Sequence, residues 1–181
     1  DVIDFKLAGS TALTLDLSST AAQSTGWDTV TLKNIEGVAG GSGADTFTDS
    51  SANNYIEGRG GVDTINLTNG GQDTVVFKLV TSTDATGGNS HDIINSFKVG
   101  TYEATAGADR INLHDLLSGY YTADTDGAAH YLNAVATIDT GDTIANYLTV
   151  TTVTTSGVTD TLISIDRDGT GGAYSSTLVA T

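Results

Sequence analysis

The stretch Gly40-Gly41-Ser42-Gly43-Ala44-Asp45-Thr46-Phe47-Thr48 is followed by Asp49-Ser50-Ser51-Ala52-Asn53-Asn54-Tyr55-Ile56-Glu57 and then by Gly58-Arg59-Gly60-Gly61-Val62-Asp63-Thr64-Ile65-Asn66. These segments of nine residues repeat one pattern, and a fourth begins after one inserted residue. The sixth place of the repeat holds an oxygen-bearing side chain, and the eighth place an apolar one: Asp45, Asn54, Asp63 and Asp73 at the sixth, and Phe47, Ile56, Ile65 and Val75 at the eighth.

The repeat follows the nonapeptide pattern G-G-x-G-x-D-x-U-x of calcium-binding parallel β-helices, in which U is a large apolar residue. A glycine-rich loop and a short strand make half a coil, so residues eighteen apart should stack directly. Asp45 should then lie over Asp63, where two carboxylates at a strand spacing of about 4.8 Å repel each other unless a cation lies between them. Calcium fits because it accepts about six to eight oxygens, including carbonyls that glycine allows to turn inward. Gly-Asp turns between antiparallel strands are the alternative, and four repeats in register favour calcium.

The composition is strongly acidic, with 22 Asp and Glu against 7 Lys and Arg and a formal net charge of -15. Such a chain should repel nucleic acid and anionic membranes, and its self-repulsion should oppose folding until counter-ions arrive. A surface adapted only to solubility or salt is the alternative. The absence of Cys fits export without oxidative folding. No apolar run approaches transmembrane length and no signal peptide is visible. The chain begins in mid-pattern, so we interpret it as a piece of a longer protein.

Segments on both sides of the repeats predict further strands. Residues 1–5 and 13–17 alternate polar and apolar side chains, and counting back by nines puts Glu36 at a sixth place. Downstream, residues 74–80 predict a longer strand. Asp92 and Asp109 return the Asp-x-Ile spacing at intervals of 19 and then 17 residues from Asp73, and each interval is close to one full coil. We interpret these segments as looser coils or as strands at the edge of the roll.

The C-terminal part predicts short strands and one short helix over residues 113–118. Thr-rich alternation favours an antiparallel cap, built from residues 130–138, 143–153, 159–165 and 174–180. The predicted fold class is therefore all-β: a right-handed parallel β-roll flanked by an antiparallel β cap, with at most one short helix. We predict two parts, residues 1–80 with the N-terminal strands and the roll, and residues 81–181 with looser coils and the cap.

With these residues quoted, the chain resembles RTX proteins exported by type I secretion. Residues 1–118 look like the C-terminal β-roll domain of serralysin-type secreted proteases, through Asn34-Ile35-Glu36, the glycine-rich repeats and Asp73-Thr74-Val75-Val76-Phe77. The segment Asp160-Thr161-Leu162-Ile163-Ser164-Ile165-Asp166-Arg167-Asp168-Gly169 is similar to the end of very large RTX adhesins, in which a secretion signal comes last.

The resemblance implies that several calcium ions are held by sixth-place side chains together with carbonyls from alternate loop positions. The residues implied are Asn34, Glu36, Gly41, Gly43, Asp45, Ala52, Asn54, Arg59, Gly61, Asp63, Gly71 and Asp73, and Asp92 and Asp109 are further candidates in the looser coils. The chain departs from the family pattern at Ser96 and Asn112, where the family often has Asp, and at the one-residue insertion before Asp73.

Motifs of catalysis are absent from the sequence. There is no HExxH, its three His residues are isolated, and there is no GxSxG. We therefore expect no enzyme. The resemblance implies a calcium-binding module that folds on calcium near the C-terminus of a large secreted bacterial adhesin and assists type I secretion.

The alternative is a calcium-dependent module that binds a carbohydrate or a peptide, with Trp27 and the Tyr residues as candidate stacking groups. The expected partners are the type I secretion machinery, through the parent chain, and a surface glycan or peptide. We expect no nucleic acid, no membrane insertion, a monomer, and a location outside the cell or on the bacterial surface.

Overall fold

The computed structural model describes residues 1–81, 85–101, 104–118, 147–167 and 176–181. These residues form mostly strands, and their one α-helix is α1 (His114–Ser118), close to the predicted helix. The strands form two parallel sheets, a three-stranded antiparallel sheet and a two-stranded antiparallel pair. The predicted strand over residues 130–138 lies outside the described residues.

The first parallel sheet has five strands. Its members, in spatial order, are β1 (Val2–Asp4), β5 (Gly37–Ala39), β7 (Tyr55–Glu57), β9 (Thr74–Val76) and β11 (Arg110–Asn112). The second parallel sheet has four, in the order β10 (Ile93–Asn95), β8 (Thr64–Asn66), β6 (Thr46–Thr48) and β2 (Thr14–Asp16). From β5 to β11, successive strands alternate between the two sheets, so each nine-residue repeat contributes one strand to one sheet. The predicted strand over 74–80 ends at Val76.

The eighth-place apolar residues lie in register along each sheet and are buried. In the first sheet Val38 pairs with Ile56 and Ile56 with Val75, and in the second Phe47 pairs with Ile65. All five are at most 1% exposed. Because side chains of a strand alternate between its faces, the flanking residues point away from this row. The predicted stacking of residues eighteen apart is confirmed, since Thr46 pairs with Thr64.

β10 and β11 are edge strands of the two parallel sheets, so the interpretation of the segments after Asp92 and Asp109 as edge strands is confirmed. The interpretation of the two intervals as full coils is wrong. β10, which follows Asp92, pairs with β8 of the second sheet, and β11, which follows Asp109, pairs with β9 of the first. The intervals of 19 and 17 residues are therefore half coils with lengthened connections. The spacing alone could not show this, because a half coil whose loop carries about nine extra residues has the same length as a full coil.

Two compact units divide the chain. The first comprises Asp1–Phe77 with Asp92–Asn112, and the second Lys78–His91 with Leu113–Thr181. The predicted division at residue 80 stays a prediction, and residues 92–112 group with the first unit. In the second unit, β12 (Leu148–Thr155) pairs antiparallel with β13 (Val158–Ile165), and β13 pairs antiparallel with β14 (Thr177–Ala180).

A strand pair outside the two parallel sheets precedes β5. It joins β3 (Gln23–Ser24) to β4 (Thr29–Val30). In the described part of the chain, every helix is too short to cross a bilayer.

Removal of buried volume from the first sheet should destabilise the chain. Ile56→Ala is expected to lower the free energy of unfolding by about 2–5 kcal/mol, because Ile56 is fully buried between Val38 and Val75. Val62→Ala, at a side chain that is half exposed, should change it by less than about 0.5 kcal/mol. Urea denaturation measures both, and equal losses would contradict this account of the core.

Candidate metal centre

The predicted ligand residues lie in connections at two opposite edges of the parallel sheets. We call the connections from the first sheet to the second the first edge, and the connections from the second sheet to the first the second edge. The first edge contains Gly41, Gly43, Asp45, Arg59, Gly61, Asp63 and Asp92. The second edge contains Asn34, Glu36, Ala52, Asn54, Gly71, Asp73 and Asp109.

On the first edge, buried carboxylates form a ladder of hydrogen bonds. Asp45 Oδ1 accepts from the Leu13 N–H (2.8 Å) and Asp45 Oδ2 from the Gly41 N–H (3.0 Å). Asp63 Oδ1 accepts from the Asp45 N–H (2.8 Å), and Asp92 Oδ1 accepts from the Asp63 N–H (2.9 Å). Each carboxylate thus bonds the main chain just before the neighbouring strand of its sheet, and the carboxylates are stacked one over the next.

The second edge has a similar ladder with a neutral member. The Asn54 N–H donates to Asp73 Oδ1 (2.8 Å), and the Asp73 N–H donates to Asp109 Oδ1 (3.0 Å). Asp109 Oδ2 also accepts from the Lys98 N–H (2.7 Å). At the other end, the Asn54 Nδ2 amide donates to the Glu36 carbonyl (2.9 Å). The amide therefore ties two predicted ligand residues, Asn54 and Glu36, together by a hydrogen bond.

On both edges, main-chain oxygens of one coil closely approach the glycines of the next coil. A Cβ on Gly43 would come within 2.6 Å of the Thr11 carbonyl oxygen. A Cβ on Gly61 would overlap the Gly43 carbonyl, and one on Gly71 would overlap the Ala52 carbonyl. Gly61 and Gly71 also have positive φ values, 104° and 115°, which side chains rarely adopt. The repeat needs glycine here because carbonyls of one loop point at the main chain of the next.

Burial and stacking raise the pKa of the carboxyl groups. The loss of solvent on burial, together with the neighbouring Asp45, raises the pKa of Asp63 to about 7. Burial and the nearby Asp63 raise that of Asp92 to about 8. Burial also raises the pKa of Asp45 on the first edge. On the second edge, burial and then Asp109 raise the pKa of Asp73 to about 6. Negative charge is therefore unfavourable in these positions unless a cation accompanies it.

Two further observations describe the oxygen atoms that a cation would meet on the first edge. Asp63 Oδ2 is buried and, among the described residues, accepts no hydrogen bond. It lies against Gly58, where a Cβ would overlap it. In the described part of the chain, no group of three or more Asp, Glu or His side chains converges on one point. A cation here would therefore take most of its ligands from main-chain carbonyls, which calcium accepts.

On the second edge, a cavity of about 160 Å³ brings several predicted residues together. Its lining includes Asn34, Glu36, Ser50 and Ala52. Asn34 has a φ of 54°, a left-handed conformation that Asn tolerates better than most residues. Asn54, in contrast, uses its side chain within the protein, since its Oδ1 accepts from the Ser50 N–H (2.7 Å). The second edge thus differs from the first in having an amide, and not a carboxylate, at one place of its ladder.

Sequence reasoning missed two buried carboxylates, Glu57 and Asp49. Asp49 is the one on the second edge. It occupies the first place of its repeat, where the pattern has Gly, and it is fully buried. Asp49 Oδ1 accepts from the Thr68 N–H (3.0 Å), and both of its carboxylate oxygens accept from the Asn69 N–H (3.0 and 2.9 Å). A charged residue at a glycine place was the available signal. Its role here is to bond the next loop of the second edge.

Arg59 uses its side chain in a way that the predicted carbonyl role does not include. Its guanidinium Nη1 and Nη2 donate to the two oxygens of Asp4 (2.7 and 2.9 Å), and Nη1 also donates to the Gly40 carbonyl (2.8 Å). Nε donates to Glu57 Oε1 (2.9 Å).

Comparison of the chain with protein-family models and with curated proteins found no match.

The space at Gly58 gives a direct test of the first edge. Gly58→Ala is expected to cost about 1–3 kcal/mol of unfolding free energy, because the new Cβ would displace the Asp63 carboxylate. Gly70→Asn is the control, since Gly70 has a φ of 83° but nothing within 4 Å of an added Cβ, and Asn tolerates positive φ. Urea denaturation compares them. A Gly58→Ala chain that is as stable as the wild type would contradict the close packing.

The raised pKa values predict how pH affects the cation-free protein. Carboxyls with folded pKa values of about 7 and 8 bind protons more tightly when folded than when unfolded. Their protonation therefore stabilises the fold, fully below about pH 4, and this contribution is lost as the pH rises from about 4 to 8. In chelator, far-UV circular dichroism should therefore show more β structure at pH 5 than at pH 8. The Asp63→Asn/Asp92→Asn variant should have a flatter profile, and a stability that rises with pH in this range would contradict the assignment.

Proposed function

We propose that the chain is a calcium-binding module that folds as calcium binds, and that its parallel sheets are the two walls of a right-handed RTX-type β-roll. The observation that carries the proposal is Asp63 Oδ2, a buried carboxylate oxygen that has no hydrogen-bond donor among the described residues and belongs to the side chain stacked between Asp45 and Asp92. On the first edge Asp45 and Asp63 would hold an ion together with the carbonyls of Gly41, Gly43, Arg59 and Gly61. Asp92 would extend the row.

On the second edge the residues for a similar site are Asn34, Glu36, Ala52, Asn54, Gly71, Asp73 and Asp109. The cavity beside Asn34, Glu36 and Ala52 supports this assignment. The neutral amide of Asn54 stands in the ladder where the first edge has a carboxylate, so an ion beside Asn54 should bind less tightly than one between Asp45 and Asp63. Ligand charge count is one of the features that tune calcium affinity.

Calcium would convert binding energy into folding energy. The unfolded chain keeps its carboxylates apart in water, whereas the folded chain stacks them in buried ladders, so the ladder forms at a cost that a cation offsets. At free calcium 100 times the dissociation constant, one site contributes about 2.7 kcal/mol. That is a large part of the roughly 5–15 kcal/mol that stabilises an ordinary domain.

This linkage suits a protein that folds outside the cell. Extracellular calcium modules bind at about 10⁻⁴ to 10⁻³ M, so such sites would be empty in the cytosol and filled after export. The net charge of -15 acts in the same direction, because self-repulsion keeps the cation-free chain extended. The parent protein would be a large adhesin exported by type I secretion and displayed on the bacterial surface.

One surface groove supports a second candidate function, recognition of a carbohydrate. A cavity of about 250 Å³ beside the first sheet is lined by residues that include Asn53, Tyr55, Gln72 and Arg110. Amide and guanidinium donors beside an aromatic ring suit a sugar. Saturable binding of an oligosaccharide at constant saturating calcium, lost in Gln72→Ala with the circular dichroism spectrum unchanged, would favour this candidate.

Calcium titration tests the proposed function directly. The far-UV circular dichroism spectrum should change from coil to β as calcium replaces chelator, and magnesium should not reproduce the change because it demands octahedral geometry at shorter distances. Asp63→Asn should have two opposite effects. In chelator it should be at least as folded as the wild type, since one buried charge is gone. In the calcium titration, the calcium concentration at the midpoint of folding should rise at least about threefold, and the variant should bind fewer ions.

Asp160→Asn is the matched control, because Asp160 lies exposed on β13. It should titrate like the wild type. A β spectrum in chelator that calcium leaves unchanged would contradict the proposed function. An Asp63→Asn chain that binds as much calcium as the wild type would contradict the first-edge site.

A further inference from the structure

We propose that the Arg59 guanidinium is a fixed cation of the first sheet, which makes one corner of that sheet independent of calcium. This inference depends on the proposed function, because it assigns to a side chain the role that calcium has elsewhere on the edge. The corner is formed by the C-terminal ends of β1, β5 and β7, where Asp4, Ala39 and Glu57 lie side by side in register.

The contacts of Arg59 are those of a cation held by oxygen atoms. Its three nitrogens donate to four oxygens: both carboxylate oxygens of Asp4, one carboxylate oxygen of Glu57, and the carbonyl of Gly40. These oxygens come from three consecutive strands of the sheet or the residue after them, β1, β5 and β7. Two carboxylates and a carbonyl form the kind of oxygen set that a calcium ion accepts. Here a side chain supplies the positive charge.

The burial of Glu57 explains why the corner needs that charge. Glu57 is 3% exposed, and its second oxygen, Oε2, accepts from the Tyr55 hydroxyl (2.8 Å). A buried carboxylate is strongly destabilising without a partner charge. The Asp4 carboxyl is more exposed, and its bidentate contact with Arg59 fixes the guanidinium over the row.

The backbone of Arg59 indicates that the repeat accepts strain to place this side chain. Arg59 occupies the second place of its repeat, where the pattern has Gly, and has a φ of 70°. A residue other than Gly, Asn or Asp is uncommon at such a φ. The unfavourable conformation directs the side chain back across Gly40 to Asp4, which glycine at this place could not do.

Calcium titrations of Arg59 variants, followed by far-UV circular dichroism, test the inference. Arg59→Met keeps the length of the side chain but removes the charge, so we expect its folding midpoint to require roughly two- to fivefold more calcium. Arg59→Met/Glu57→Gln should return most of the way to the wild type, because the buried charge is then gone too. Arg59→Lys should lie in between, since it keeps the charge but loses the planar fork.

Arg110→Met is the matched control, an arginine of the same sheet whose Nε donates to the Thr74 hydroxyl (2.9 Å). A midpoint for Arg59→Met no higher than that of Arg110→Met would overturn the inference, as would an Arg59→Met/Glu57→Gln chain no better than Arg59→Met. A wild-type chain that does not respond to calcium overturns the proposed function instead. Urea midpoints of the same variants in chelator would then decide about Arg59 by the same ranking.

Discussion

The structure depends on carboxylates that are stacked and buried at the distance between neighbouring strands. In the ladder of Asp45, Asp63 and Asp92, each side chain bonds the main chain of the neighbouring coil, so it holds successive coils in register. The same placement brings like charges together away from water, which raises their pKa values. The residues that align the repeats are therefore the residues that oppose folding when they are ionised. Under the proposed function, a cation would offset this repulsion.

The protein balances this charge in different ways at different places. On the first edge the acidic ladder is uninterrupted, and Asp63 keeps an oxygen without a donor among the described residues. On the second edge Asn54 replaces a carboxylate by an amide and bonds Glu36 directly. Asp49 receives main-chain N–H groups from the next loop, and Arg59 places a guanidinium between Asp4 and Glu57. Asn54, Asp49 and Arg59 thus balance the charge with the chain's own atoms. Only the acidic ladder of the first edge, among these four arrangements, would need an ion under the proposed function.

Much of the fold could be predicted from the sequence because the repeat has a fixed length. The sixth and eighth places predicted which residues stack and which are buried, and Phe47, Ile56 and Ile65 are all fully buried. The prediction was wrong where the connections lengthen, since the 19 residues from Asp73 to Asp92 make a half coil and not a full one. The site was predictable as a set of loop positions. The bonds of Asp49 and of the Arg59 guanidinium were not, because both side chains depart from the repeat pattern: Asp49 bonds the next loop of its edge, and Arg59 reaches Asp4 of β1.

The alternation of strands between two sheets limits how the array can change in length. Gain or loss of eighteen residues, the separation of Thr46 and Thr64, returns every later strand to its own sheet and every later carboxylate to its own edge. Gain or loss of nine residues would move every later strand to the other sheet. Asp63 would then lie on the second edge, next to Asn54, and the two apolar rows would be mixed. Duplication and deletion should therefore be tolerated in pairs of repeats. A single repeat sets the period of the sequence pattern, but a pair of repeats is the smallest segment that can be added or lost without moving later strands to the other sheet.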